Sequence, residues 1–391
     1  MEARRYGNWI GGRELDPAGG GAFELRSARE PFESLGTWPR SDEPELAAAL
    51  ESARDAAAEW ARLPERPRRG VLRRTYAAVQ AAAPLGSMAA RIGLEPGALE
   101  PYLRAGLAVP ERWTRPAEGA RRTAGSVWLH VNHWTGLAGA PGRAILPLLA
   151  AGGAVLWLAD ARLPQAGELW GRALADAGAP PGLLSVLHGV PGRLRRRAAA
   201  EPGLAGLDAQ GTERELDALL EGAPEGLELR LGLLRNRSLQ VGTHENLEVA
   251  ARRAATRAFG RTAAFSGQRP GQVGRVLCHE RVFSAFTGAL LAELRRNGEM
   301  ARPVPLIDEQ ALEEARAACA LGLDEGATMI AGGEPSGDGG PRRPPRSFPP
   351  VVFTNVEAEM QIAHRSAPAP ILCLLRVPSE EAGDDLAEEL G

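Results

Sequence analysis

From Pro44, the stretch PELAAALESARDAAAEWARL sets Leu46, Leu50, Ala53, Ala57 and Trp60 at helical spacing with charges between them. That spacing predicts an amphipathic helix with one buried stripe. Before it, YGNWIGGRELDPAGGGAFELRSA alternates short apolar stretches with glycine turns, the pattern of a hairpin and a strand. Downstream, SVWLHVNHW reads as a strand, and GRAILPLLAAGGAVLWLAD as a helix, a glycine turn and a buried strand. QAGELWGRALADAGA predicts a further helix, and PPGLLSVLHG enters another strand after a Pro-Gly turn. Such alternation of helix and strand is the signature of a parallel α/β sheet. Beyond residue 230 the rhythm continues through SLQV, the helix ENLEVAARRAATRAFGR, a turn at SGQRPGQ, the strand GRVLCH, the helix EQALEEARAACALGLDEGA and a last strand, PILCLLRV. The segment GGEPSGDGGPRRPPRSFPP is too rich in glycine and proline for regular structure and reads as a surface loop.

Composition narrows the picture. A chain of 391 residues, 44% hydrophobic and 24% charged, has the balance of a globular protein of two ordinary domains. A net charge of -3 gives no electrostatic reason to expect nucleic acid or an anionic membrane as partner. No run of about eighteen apolar residues exists, and the start MEARRYGNWIGG lacks the apolar core of a signal peptide, so a cytoplasmic location is expected. All 46 residues counted as lysine plus arginine are arginine, which excludes a Schiff-base or phosphate-contacting lysine.

Several residues invite chemistry and are weighed against simpler roles. Cys278, Cys319 and Cys373 show no CxxC spacing and are expected to be buried, inert thiols. His130 and His133 in HVNHW suggest a metal, but on one strand they would face opposite sides and no third ligand is indicated. RLRRR, from Arg193 to Arg197, is expected to be a solvated helix face. Ser238 and Ser266 have no adjacent base, and PRRPPRSFPP reads as a variable loop rather than a docking peptide.

Taken in order, several segments resemble the aldehyde dehydrogenase superfamily: the GNW hairpin; DAAAEWARLPERPRRGVLRR; PLLAAGGAVLWLADARLP; DAGAPPGLLSVLHG; FSGQRPGQVGRVLCHERVFSAF; PVPLIDEQ; GATMIAGG; and FPPVVFTNVEAEMQIAH. The resemblance implies an α/β fold of that family's type. It would have a Rossmann-like cofactor domain over residues 1–232 and a second α/β catalytic-type domain over 233–391, truncated at its C-terminal end. It also implies a chemistry in which a cysteine thiolate attacks an aldehyde, hydride passes to a nicotinamide cofactor, and a glutamate activates water.

Carried over residue by residue, that apparatus is absent. With Gly267 and Gln268 on the family's Gly-Gln, the nucleophile position falls on Pro270, which has no nucleophile and no backbone N–H. RNRSLQV resembles the stretch after the general-base glutamate and puts that base at Leu233, with Glu228 the nearest substitute. Counting back seventeen residues from Gly152 places the oxyanion asparagine at Thr135. The lysine and glutamate that would hold the adenosine ribose correspond to Leu158 and Ala161. In GTEREL, Gly211 remains, but Leu216 replaces the second glycine beside the pyrophosphate. Ser366 stands for the glutamate that would hold the nicotinamide ribose.

The reading is therefore a family homologue without catalytic cysteine or general base, with no cofactor expected, or NAD or NADP if any. It would act as a scaffold, a regulator, or a partner of an active relative or another protein. Two alternatives remain at this point: a weak or altered NAD(P)-dependent oxidoreductase, and a chain with no selected function.

Overall fold

The computed structural model describes residues 4–17, 19, 21–30, 32–82, 85–94, 97, 99–100, 123–136, 139–260, 265–269, 271–298, 302–332 and 346–390. Two compact units make up the chain. The first comprises Met1–Arg26, Phe32–Met88 and Leu99–Leu233, and the second Ser27–Pro31, Ala89–Ala98 and Leu234–Gly391. No hydrophobic pattern marks the two early stretches counted with the second unit. They are tied to each other by the Ala28 N–H, which donates to the Ala90 carbonyl (2.9 Å). Within the second stretch Gly93 is at φ 84°, and a Cβ added there would lie 2.4 Å from Pro305 Cγ.

In chain order the first unit carries β1 (Asn8–Ile10), β2 (Arg13–Leu15), β3 (Ala22–Arg26), β4 (Ser34–Pro39), α1 (Glu43–Arg62) and α2 (Glu65–Ala82), followed by α3 (Leu85–Ile92) at its margin. It continues with β5 (Val127–Val131), α4 (Gly139–Ala150), β6 (Ala154–Leu158), α5 (Gln165–Asp176), β7 (Leu184–Leu187), α6 (Gly192–Ala199), β8 (Leu204–Gly211), α7 (Glu213–Leu220) and β9 (Glu228–Leu233). Seven strands form one sheet in the order β2-β1-β7-β6-β5-β8-β9. The last five run parallel, and the N-terminal hairpin joins the β7 side antiparallel through Trp9 and Val186.

The apolar runs explain why these strands lie inside. Every residue of β5, β6 and β7 is buried, as continuous hydrophobic strands require when helices cover both faces. The stripe foreseen on α1 is buried as a set, and the Trp60 indole N–H donates to the Leu149 carbonyl (2.7 Å), so its polar atom costs nothing inside. Asp42 and Glu45 start that helix with a capping box.

The second unit contains β10 (Arg237–Val241), α8 (Leu247–Phe259), β11 (Val273–His279), α9 (Phe283–Arg296), β12 (Val304–Pro305), α10 (Glu309–Asp324), β13 (Thr328–Ala331), β14 (Ser347–Phe348), β15 (Val351–Val356), α11 (Gln361–His364), β16 (Ile371–Val377) and α12 (Glu380–Leu390). Its sheet runs β10-β11-β16-β15-β13, parallel except for β13. Alanines of α8 and aromatics of α9 pack with β11 and β16 in a single apolar cluster. The acidic stretch EEAGDDLAEEL is the helix α12. Most of the proline-rich loop, residues 333–345, lies outside the described residues.

Candidate functional site

The five parallel strands are ordered β7-β6-β5-β8-β9, so the chain builds outward from β5 to one side and then crosses to the other. The order reverses between β5 and β8, and the carboxyl ends of strands at such a switch point are where open α/β sheets bind ligands. There the loops after β5 and β6, the end of β8 and the helices α6 and α7 line a cleft of about 180 Å³.

Charged side chains of the chain itself line it. The Asp160 carboxylate accepts from the Trp134 N–H (2.9 Å), the Arg162 N–H (2.9 Å) and the Arg162 guanidinium (2.6 Å from Nη2). The same Nη2 donates to Glu215 Oε1 (3.1 Å), so Arg162 bridges two carboxylates. Burial alone would raise the Asp160 carboxyl, but the Arg162 charge and its hydrogen bonds reverse this and hold it well below the usual carboxylate range. Glu215 is lowered in the same way, against its own burial. Its other oxygen accepts from the Thr212 N–H (2.9 Å) and closes a capping box on the first turn of α7.

His133 lines the same cleft. Its Nδ1 is 2.7 Å from Thr135 Oγ1 and 3.4 Å from the Thr135 backbone N–H. Because the N–H can only donate, Nδ1 is the unprotonated nitrogen, and the hydroxyl also donates to it. Burial, with a further push from Arg162, lowers His133 to about 4, so the ring is neutral at pH 7.

The positions singled out from the sequence fall as follows. Thr135 is buried with its hydroxyl proton committed to His133. Leu158 is the last, fully buried residue of β6, and Ala161 follows in the turn that carries Asp160 and Arg162. Gly211 ends β8. A Cβ placed on it would meet Glu215 Cβ (3.1 Å), Glu215 Oε2 (3.2 Å) and Leu216 Cδ2 (3.5 Å), so side chains of α7 fill the space beside it. Leu233 ends β9 in register with Gly211. Glu228, the substitute base, pairs with Gly206 at the opposite end of β9 and is exposed, bound to Arg230. A strand rises roughly 3.3 Å per residue, which puts it about 16 Å from Leu233.

In the second unit, Phe265, Ser266 and Gly267 are consecutive left-handed residues. Gly267 has φ 87°, and a Cβ there would lie 2.3 Å from Pro370 Cα, so only glycine fits. Gln268 is held at both ends, its Oε1 accepting from the Ile307 N–H (2.8 Å) and its Nε2 donating to the Pro305 carbonyl (3.2 Å). Pro270 lies outside the described residues. Ser366 accepts from the Asn236 N–H (2.9 Å), tying two segments distant in sequence. Burial pushes the Cys278 and Cys373 thiols up to about 12 and that of the half-buried Cys319 up to about 11, so all three stay protonated at neutral pH.

One sequence expectation is corrected: β5 ends at Val131, so His130 and His133 do not share a strand. His130 is bound to Asp208 (2.9 Å), and no group of three residues able to hold a metal occurs among the described residues. Asp160, Arg162 and Glu215 were not singled out. A signal existed for Glu215, since Thr-x-x-Glu before an apolar run is a capping box, but nothing in ADAR announces that Arg162 reaches α7.

A family model described as "Aldehyde dehydrogenase family" matches residues 120–389. The chain belongs to the aldehyde dehydrogenase family. Among curated family members, it is 24% identical to the α-ketoglutarate semialdehyde dehydrogenase of Haloferax volcanii, over 98% of this chain and 83% of that protein. It is 26% identical to the NADP(+) succinate-semialdehyde dehydrogenase of Deinococcus radiodurans, over 91% and 77%. Among solved structures, an NAD-dependent aldehyde dehydrogenase from Sinorhizobium meliloti superposes with a TM-score of 0.82 at 21% identity, covering 98% of this chain and 80% of that one. A 3,6-anhydro-L-galactose dehydrogenase matches with a TM-score of 0.81 at 22% identity, over 99% and 85%. At these identities the structural likeness concerns the fold. No helix among the described residues is long and apolar enough to cross a membrane.

Proposed function

We propose that this chain is a family member that has given up aldehyde oxidation and acts by binding, as a scaffold or regulatory partner, with an active relative or another protein as its counterpart. The observation that carries the reading is the Arg162 bridge between Asp160 and Glu215 at the switch point. A dinucleotide needs polar partners for its ribose and open backbone for its phosphates. Here Leu158 and Ala161 supply no polar group, Glu215 and Leu216 cover Gly211, and the first turn of α7 is capped by its own carboxylate. These residues do not fit the group.

The chemical positions agree. Pro270 and Leu233 hold neither nucleophile nor base, and Thr135 has spent its hydroxyl proton on His133. The buried thiols stay protonated at neutral pH and cannot take over.

Thermal unfolding with NAD or NADP tests the reading. A ligand at a hundredfold its dissociation constant stabilises by about 2.7 kcal/mol, enough to move a midpoint by several degrees. The expected result is no shift at millimolar cofactor and no aldehyde-dependent reduced cofactor. Saturable turnover that survives replacement of all three cysteines refutes the proposal.

A further inference from the structure

Three stretches that contain no aspartate or glutamate, residues 234–244, 260–279 and 360–379, meet in the second unit. The Asn236 N–H donates to the Ser366 hydroxyl (2.9 Å), the Gly271 N–H to the Arg235 carbonyl (3.0 Å) and the Arg237 N–H to the Gln272 carbonyl (2.7 Å). Arg275, only 2% exposed, ties the same segments together, its Nη1 donating to the Ala363 carbonyl (2.8 Å) and its Nη2 to the Asn236 carbonyl. Its Nε is buried and has no hydrogen-bond partner among the described residues. Burial lowers this guanidinium from its ordinary value, Cys373 opposite it on β16 acts the other way, and the Arg235 charge lowers it further. A buried cation held by carbonyls alone, with a second cation near it, is short of negative charge.

We propose that this junction is an anion site, where Arg235, Arg237 and Arg365 hold the phosphate of a phosphate monoester. Arg235 and Arg237 are exposed on either side of buried Asn236, so both side chains leave the same side of the chain. A Cβ added to Gly271, at φ 74°, would lie 3.5 Å from Arg237 Nε, so the Arg237 side chain passes close to that glycine. Arg365 is exposed beside Ser366. None of the three is in an ion pair with a described residue. Each guanidinium offers two parallel N–H groups that match two phosphate oxygens. A monoester brings close to two negative charges at neutral pH, whereas a monocarboxylate brings one. Alternate residues of an extended chain lie roughly 6.6 Å apart, a span that two long side chains can close around one phosphate. A longer polyanion would run on to a chain whose net charge is -3. None of these arginines enters the loss of aldehyde chemistry, so the inference stands apart from that reading.

Isothermal titration of the full chain with phenyl phosphate, inorganic phosphate and acetate, at a constant low chloride concentration, tests it. Phenyl phosphate is expected to bind saturably, with a dissociation constant below about 1 mM, and acetate at least about tenfold more weakly. R235M, R237M and R365M should each raise the phenyl phosphate constant by roughly tenfold. R237K, which keeps the charge and loses the fork, should fall between R237M and the wild type. R197M removes an arginine of the first unit that is bound to Glu201, and should leave binding unchanged. Should one of the three site variants fail to unfold cooperatively, the other two decide. Phenyl phosphate without saturable binding up to about 10 mM overturns the proposal. So does acetate of equal affinity, an R197M loss as large as that of R235M, or site variants that bind like the wild type. Binding of inorganic phosphate with none of the ester marks an adventitious ion only, and overturns it as well.

Discussion

Lowering the pH from 7 to 5.5 should destabilise the first unit through two buried histidines. Burial lowers His133 to about 4 and His188 to about 3, from an ordinary value of 6.5. His188 follows β7, with its backbone N–H donating to Asn8 Oδ1 (3.0 Å) and its carbonyl accepting from the Ser41 hydroxyl (2.7 Å). Both rings are neutral in the folded chain, and on acidification the unfolded chain takes up their protons first. The stability they contribute is therefore complete above pH 6.5 and falls as pH drops from there toward the folded values. Over this interval each costs about 1.3 kcal/mol, about 2.5 kcal/mol together. With a urea slope of about 2.5 kcal/mol per molar, the midpoint moves down by about 1 M. All eight tryptophans fall within the sequence ranges of the first unit, so indole fluorescence reads that unit selectively. H133Q and H188Q should each remove about half of the pH dependence. A midpoint that is flat between pH 7 and 5.5, or a double variant with undiminished slope, refutes the reasoning.

Other outcomes follow from the same contacts. R162M leaves the buried Asp160 carboxylate without its countercharge and should cost about 3–5 kcal/mol in the fluorescence transition, with part recovered in D160N/R162M. A cost below about 1 kcal/mol would count against the bridge as a structural element. G267A forces a side chain into the left-handed region and against Pro370, and should cost more than about 2 kcal/mol, seen as faster hydrogen exchange of the β11 amides.

Much of the fold was legible because apolar periodicity and buried runs act locally: α1, β6 and β16 lie where their patterns put them. Strands β8 and β9 were missed for a tertiary reason. Gly206 breaks the pattern of β8 because the Trp128 ring occupies the space a Cβ would need, 2.4 Å away. Asp208 reads as a turn residue, yet it sits in the strand because His130 binds it. In β9 the leucines alternate correctly but face outward, and a pattern alone does not say which face is covered. At the candidate site the positions corresponding to the family's site could be named from the resemblance. The ion bridge beside them could not, because Arg162 and Glu215 meet only once β6 and β8 lie on either side of β5.

The bridge is made by an arginine in a chain that has no lysine. A guanidinium stays charged at any physiological pH, and it offers no amine for acylation. Arg162 is thus a latch without a chemical off-switch of its own. It lets go only when strong acid protonates Asp160 and Glu215, or when an incoming anion presents a better two-pronged acceptor than those two carboxylates together.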